Sequence, residues 1–160
     1  MRDDDKPPSD RPTVLVSNRQ PLSGDEDGAR DLAQATLRGE GHVDVELSVS
    51  FVEDAEIEDL HVRFMDEPGP TDVLSFPLDD VDEDGVRLLG DVVIAPAVAA
   101  RNNPDDPAAE LRLLLVHGIL HLLGYDHEAD GEKAEMWARQ ERYSGVRALS
   151  LIHISEPTRH

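Results

Sequence analysis

Between residues 43 and 52 the chain alternates, with Val43, Val45, Leu47, Val49 and Phe51 on one side and mostly polar residues between them. A period of two belongs to a strand with one buried face, and this is the clearest strand of the chain. Thr13 to Ser17 reads as a shorter strand. Thr71 to Pro77 reads as another, bounded by prolines. Leu88 to Ala95 is apolar almost throughout, the pattern of a buried strand.

Helical spacing fills the intervals. Residues 29–38 offer Leu32, Ala33, Ala35 and Leu37, after an acidic loop from Gly24 to Gly28. Asp54 to Asp66 predicts a helix with Ile57, Leu60, Phe64 and His61 inward, ended by Pro68-Gly69-Pro70. Asp79 to Gly85 is read as a second acidic loop, and Pro96 opens a short helix. Leu111 to Leu123 carries aliphatic residues on every face, so it is predicted to be a buried helix. Residues 129–142 form the last, with Met136 and Trp137 as packing residues.

The buried helix also carries the candidate chemistry. His117 and His121 stand four residues apart, so both imidazoles leave one helix face. Gly124 can end the helix, and the chain can then turn back to bring His127 to the same point. Burying imidazoles among leucines costs on the order of 1–3 kcal/mol for each unsatisfied group. A metal ion relieves that cost. Three nitrogen ligands without sulfur suit Zn²⁺, and would also hold Ni²⁺ or Cu²⁺; the fourth position is left for water. For the carboxylates that fix ligand tautomers, Asp126 and Asp91 are the candidates, whereas Glu128 reads as solvated surface.

The spacing matches H-E-x-x-H-x-x-G-x-x-H of metzincin proteases, with one change: position 118 is glycine. The glutamate there is the general base of peptide hydrolysis, and glycine cannot take a proton. The chain therefore has a protease's cage without its base.

Composition narrows the setting. The 160 residues suffice for one domain. There is no cysteine, so disulfides and thiolate sites are excluded. No signal-like or membrane-length apolar run is present, and a cytoplasmic protein is the default. Residues 1–11 read as a disordered acidic tail, 12–148 as the domain, and 149–160 as an atypical tail and candidate artefact. The net charge of −20 counts against nucleic-acid binding at long range. Much of the acid lies in the N-terminal tail, in residues 25–31 and in residues 79–84, whereas 111–125 holds one arginine and no acid.

Residues 117–127, H-G-x-L-H-L-x-G-Y-D-H, resemble the signature of the YbeY family of bacterial endoribonucleases. Pro70-Thr71-Asp72-Val73-Leu74-Ser75-Phe76-Pro77 and Leu89-Gly90-Asp91-Val92-Val93-Ile94 resemble two further blocks of that family, in the same order. The resemblance covers about Val43 to Arg142. It implies an α+β, zincin-like fold: a mixed four-stranded sheet packed with about five helices, with the metal site on the central buried helix. It implies one Zn²⁺ per chain, held by His117, His121 and His127. It also implies single-strand-specific RNA cleavage in 16S rRNA 3′-end maturation and ribosome quality control. Single-stranded rRNA and the small ribosomal subunit or its assembly proteins are then the expected partners, with no membrane involved.

The family commonly has an arginine where this chain has Met65. Arg63 lies two residues earlier, about 200° around a helix. It is the candidate catalytic cation. Thr71 and Ser75 are candidates for the substrate cleft along an edge strand. The alternatives from other classes are a metalloprotease-like hydrolase and a non-catalytic, zinc-containing ribosome-assembly factor.

Overall fold

The computed structural model describes residues 12–21, 25–65, 71–125 and 130–146. Four strands are described: β1 (Thr13–Arg19), β2 (Val45–Val52), β3 (Val73–Val81) and β4 (Arg87–Ile94). They form one sheet in the order β1-β2-β4-β3. β1, β2 and β4 run parallel, and β3 lies antiparallel on the edge beside β4. The expected mixed four-stranded sheet is therefore present. Five helices are described around it: α1 (Glu26–Gly39), α2 (Asp54–Met65), α3 (Pro96–Asn102), α4 (Pro107–Leu122) and α5 (Asp130–Ser144).

The strand alternation decides which face each helix covers. Leu47, Val49 and Phe51 of β2 join Val92 and Ile94 of β4 in the main core, against α1 and α4. Val52, Leu74 and Val93 point the other way and pack with Ile57 of α2 and Val98 of α3. Fully burying aliphatic side chains of this size is worth about 1.5–3 kcal/mol each. α4 is buried along most of its length, as its all-round apolar pattern predicts.

Three expectations change. The segment read as an acidic loop from residue 79 is partly strand: β3 continues to Val81 and turns through Asp82–Gly85 into β4. Its register slips between Pro77 and Asp80, which accommodates a proline on an edge strand. α1 begins earlier than its apolar spacing indicates. The Asp25 side chain accepts from Gly28 N at 2.8 Å, so an acidic stretch becomes a capped first turn. Phe64 is not an inward residue of α2 but 61% exposed, while His61 is buried.

A candidate metal centre on a buried helix

α4 starts on a cap and ends on a Schellman motif. Asp106 accepts from Ala109 N at 3.1 Å, and Pro107 occupies the first turn, where a missing N–H costs nothing. At the other end Gly124 has φ of 104°, a conformation that strains other residues. Gly124 N donates to His121 O at 3.0 Å and Tyr125 N to Leu120 O at 3.1 Å, which satisfies the last carbonyls. The glycine break between the second histidine and the third is therefore a proper helix stop.

His117 and His121 leave α4 on one face. Their rings lie edge to face, with centroids 5.1 Å apart and planes at 67°. His117 is 1% exposed, and Nε2 of both rings is shielded from solvent. Behind His117 stands Gln140 of α5, its Oε1 at 2.6 Å from Nδ1. An amide oxygen only accepts, so this contact puts the ring proton on Nδ1. Nε2 is then left with its lone pair. A ligand histidine tied through its other nitrogen to a polar partner is the usual arrangement at metal sites. The donor set described here thus fits a nitrogen-bound divalent cation. Among the described residues no group of three or more His, Cys, Asp or Glu is gathered as a metal site. His127, Asp126 and Glu128 lie outside the described residues.

Gly118 explains why α4 sits where it does. A Cβ at that position would come 2.7 Å from Val92 Cγ1 and 3.2 Å from Ser75 Oγ. The helix therefore touches the sheet at Gly118, and Ser75 Oγ donates to Gly118 O at 3.1 Å. A side chain there would force Val92 or the helix to shift.

The remaining candidates separate. Of the two cleft candidates, Ser75 donates its proton to the helix carbonyl and Thr71 is buried. Asp91 pairs with Ser48 and Phe76, on the sheet face opposite to Val92 and Gly118. Loss of water pushes its pKa up, opposed by a hydrogen bond with Ser48. Arg63 sits exposed on α2, 3.4 Å from Asp59 and with its guanidinium 6.0 Å from the Phe64 ring centroid. Gln140 was not singled out by sequence reasoning. It lies 23 residues from His117 on another helix, and no spacing rule connects the two.

A second group unrecognised in the sequence borders the end of α4. Glu40, just past α1, accepts from Tyr125 OH at 2.7 Å, from Tyr143 OH at 2.6 Å and from Arg139 Nε at 3.2 Å. Burial works to raise its pKa, but the bonds from Tyr143 and Tyr125 and the charge of Arg139 outweigh it, holding the carboxyl below its ordinary range. Burial and the same carboxylate push the Tyr143 hydroxyl up to about 12. A cavity of about 490 Å³ lined by Leu32, Phe51, Pro96, Leu111 and Leu115 lies along the N-terminal half of α4 and includes neither histidine.

Comparison with known proteins shows the family. The family model described as Endoribonuclease YbeY matches residues 17–145. The chain belongs to the YbeY family. A Streptomyces coelicolor protein named Endoribonuclease YbeY is 46% identical over 141 residues, covering 80% of this chain and 86% of that one. One of the same name from Acidothermus cellulolyticus is 46% identical over 142 residues, covering 80% and 87%. A solution structure from Thermotoga maritima superposes with a TM-score of 0.55 at 28% identity, covering 91% of this chain and 95% of that one. In this YbeY chain no described helix is long and apolar enough to cross a membrane.

Proposed function

We propose that this YbeY protein is a zinc-dependent, single-strand-specific endoribonuclease of the cytoplasm, acting in 16S rRNA 3′-end maturation and ribosome quality control. The observation that carries the reading is the His117–His121 pair on a buried helix, with Gln140 fixing the tautomer of His117. In a family named for endoribonuclease activity, that pair supplies two of the three zinc ligands, and His127 supplies the third. What such a cation contributes when bound is Lewis acidity toward water or a phosphate oxygen. The zincin-like character of the fold belongs to the same proposal.

The chain's own residues do the rest. Core packing of α4 buries His117 and leaves His121 half-buried beside it, which reduces the ordering cost of ligand binding. Asp126 is the candidate carboxylate for orienting His127. Arg63, exposed at the C-terminal end of α2, is the candidate cation for a phosphate oxygen. Edge strand β3 offers one side of a groove for an extended RNA strand. The acidic chain makes intrinsic RNA affinity weak, so recruitment by small-subunit proteins or assembly factors belongs to the reading.

Against the protease alternative stands the glycine at position 118, which carries no carboxyl to act as the base. The test is cleavage of a single-stranded rRNA fragment by zinc-loaded protein, beside His121→Ala and a chelated sample. Cutting lost in both controls is the expected result. No cutting by folded, zinc-loaded protein would overturn the nuclease reading in favour of a non-catalytic assembly role.

A further inference from the structure

Glu40 is an acidic side chain only 8% exposed, in a part of the chain that carries none of the candidate ligands. Its carboxylate gathers three residues from two other segments. Tyr143 and Arg139 come from α5. Tyr125 is the last residue of the Schellman motif that closes α4, so its backbone is fixed to Leu120 while its hydroxyl is fixed to Glu40. Arg139 also covers the Tyr125 ring, its Cζ 5.1 Å from the centroid. One carboxylate thus joins the end of α1, the end of α4 and the middle of α5.

The position of that junction matters for the site. Tyr125 follows His121 by four residues and precedes His127 by two. Two residues of extended chain span at most about 7 Å, so wherever Tyr125 is held, the reach of His127 is bounded. α5 also carries Gln140, one residue after Arg139, behind His117.

We propose that Glu40 is a positioning residue for the metal centre, holding the Tyr125 end of α4 in register with α5 so that the zinc ligands meet. This rests on the metal reading above and adds to it a residue remote in sequence. A fully satisfied buried carboxylate is rigid, and removal of one donor leaves its oxygen short of a partner in a site of low dielectric. Tyr125 and Tyr143 donate bonds of nearly equal length to it, but only Tyr125 belongs to the α4 terminus.

That asymmetry supplies the test. Full-length wild type, Tyr125→Phe, Tyr143→Phe and Glu40→Gln are compared by zinc affinity against a chromophoric chelator. The visible spectrum of each Co²⁺-loaded protein and the melting temperature of each metal-free protein are read in parallel. Residues that orient ligands typically change metal affinity about 10–100-fold. The expectation is that Tyr125→Phe and Glu40→Gln weaken zinc binding about ten-fold and alter the cobalt spectrum. Tyr143→Phe is expected to lower the metal-free melting temperature as much as Tyr125→Phe does, while leaving affinity and spectrum as in wild type. Equal affinity in all four proteins overturns the proposal, and so does equal weakening by the two tyrosine variants, which would mark a merely structural junction. A wild type that binds no zinc would instead overturn the metal reading, and the role of Glu40 with it.

Discussion

Gly118→Ala sets two magnitudes against each other. In an exposed helix interior, alanine is more favourable than glycine by about 1 kcal/mol, so propensity alone predicts a stabilised protein. The contact at this position predicts the opposite. A Cβ built on Gly118 meets Val92 Cγ1 at 2.7 Å, and Val92 is fully buried in β4. Forcing one methyl into a packed core costs about 1–3 kcal/mol. Pushing the helix away also stretches the 3.1 Å bond from Ser75 to Gly118 O, a further loss of roughly 0.5–1.5 kcal/mol. The clash wins, with a net destabilisation of about 0.5–3.5 kcal/mol after the propensity gain is subtracted. For a chain of this size that lowers the melting temperature by roughly 1–14 °C. The assay is urea unfolding of metal-free protein, which separates the effect from zinc linkage. Val92→Ala in the same molecule should recover part of the loss, a coupling of about 1 kcal/mol between touching residues. A Gly118→Ala protein as stable as wild type, or more so, would refute the close approach of α4 to the sheet.

Other expectations follow from the same geometry. Gln140→Leu keeps the bulk behind His117 but removes the acceptor for its Nδ1 proton, and should weaken zinc binding about 10–100-fold in a chelator competition. Asp106→Ala removes the cap of α4 and should cost about 0.5–2 kcal/mol in urea unfolding while leaving zinc affinity unchanged. Glu40 is held below the ordinary carboxylate range, so its stabilising contribution is present above the unfolded pKa and is lost as pH falls through the folded one. Tyr143, pushed up to about 12, works in the other direction. Its contribution is complete below the unfolded value near 10 and disappears as pH rises toward the folded one. Stability curves of wild type and Glu40→Gln should therefore diverge least at the acid and alkaline extremes and most between them.

What could be read from the sequence was whatever is periodic or local. The alternation of β2, the all-round apolar α4 and the His117–His121 spacing are each set within a single element, and the structure reproduces them. The glycine stop at 124 is local in the same sense. What was missed depends on partners far apart in the chain. Gln140 reaches His117 across two helices, and Glu40 meets Tyr143 across 103 residues. For Asp91 the motif gives position along a strand but not the face, which only register supplies. Phe64 was misjudged. Helical spacing made it inward, but it meets Phe76 edge to face at 5.4 Å and stays open to solvent.

One helix serves here both as the centre of the core and as the carrier of two candidate ligands, and this shapes how the site can work. Leu113, Leu114, Val116, Ile119 and Leu120 are buried around His117, so the imidazole cannot swing without disturbing the core. The ligands on α4 are therefore placed by hydrophobic packing. The helix stops at Gly124, and Tyr125 beyond it still packs against Val116, Leu120 and Met136. There a polar contact joins the packing, the bond from Tyr125 to Glu40. His117 is thus held by packing together with its bond to Gln140, and the approach to the third candidate ligand is anchored by the bond to Glu40. Arg139 balances the Glu40 charge and two tyrosine hydroxyls hydrogen-bond it, so this junction leaves no unpaired carboxylate beside the helix end. The −20 of the whole chain bears on the approach of RNA.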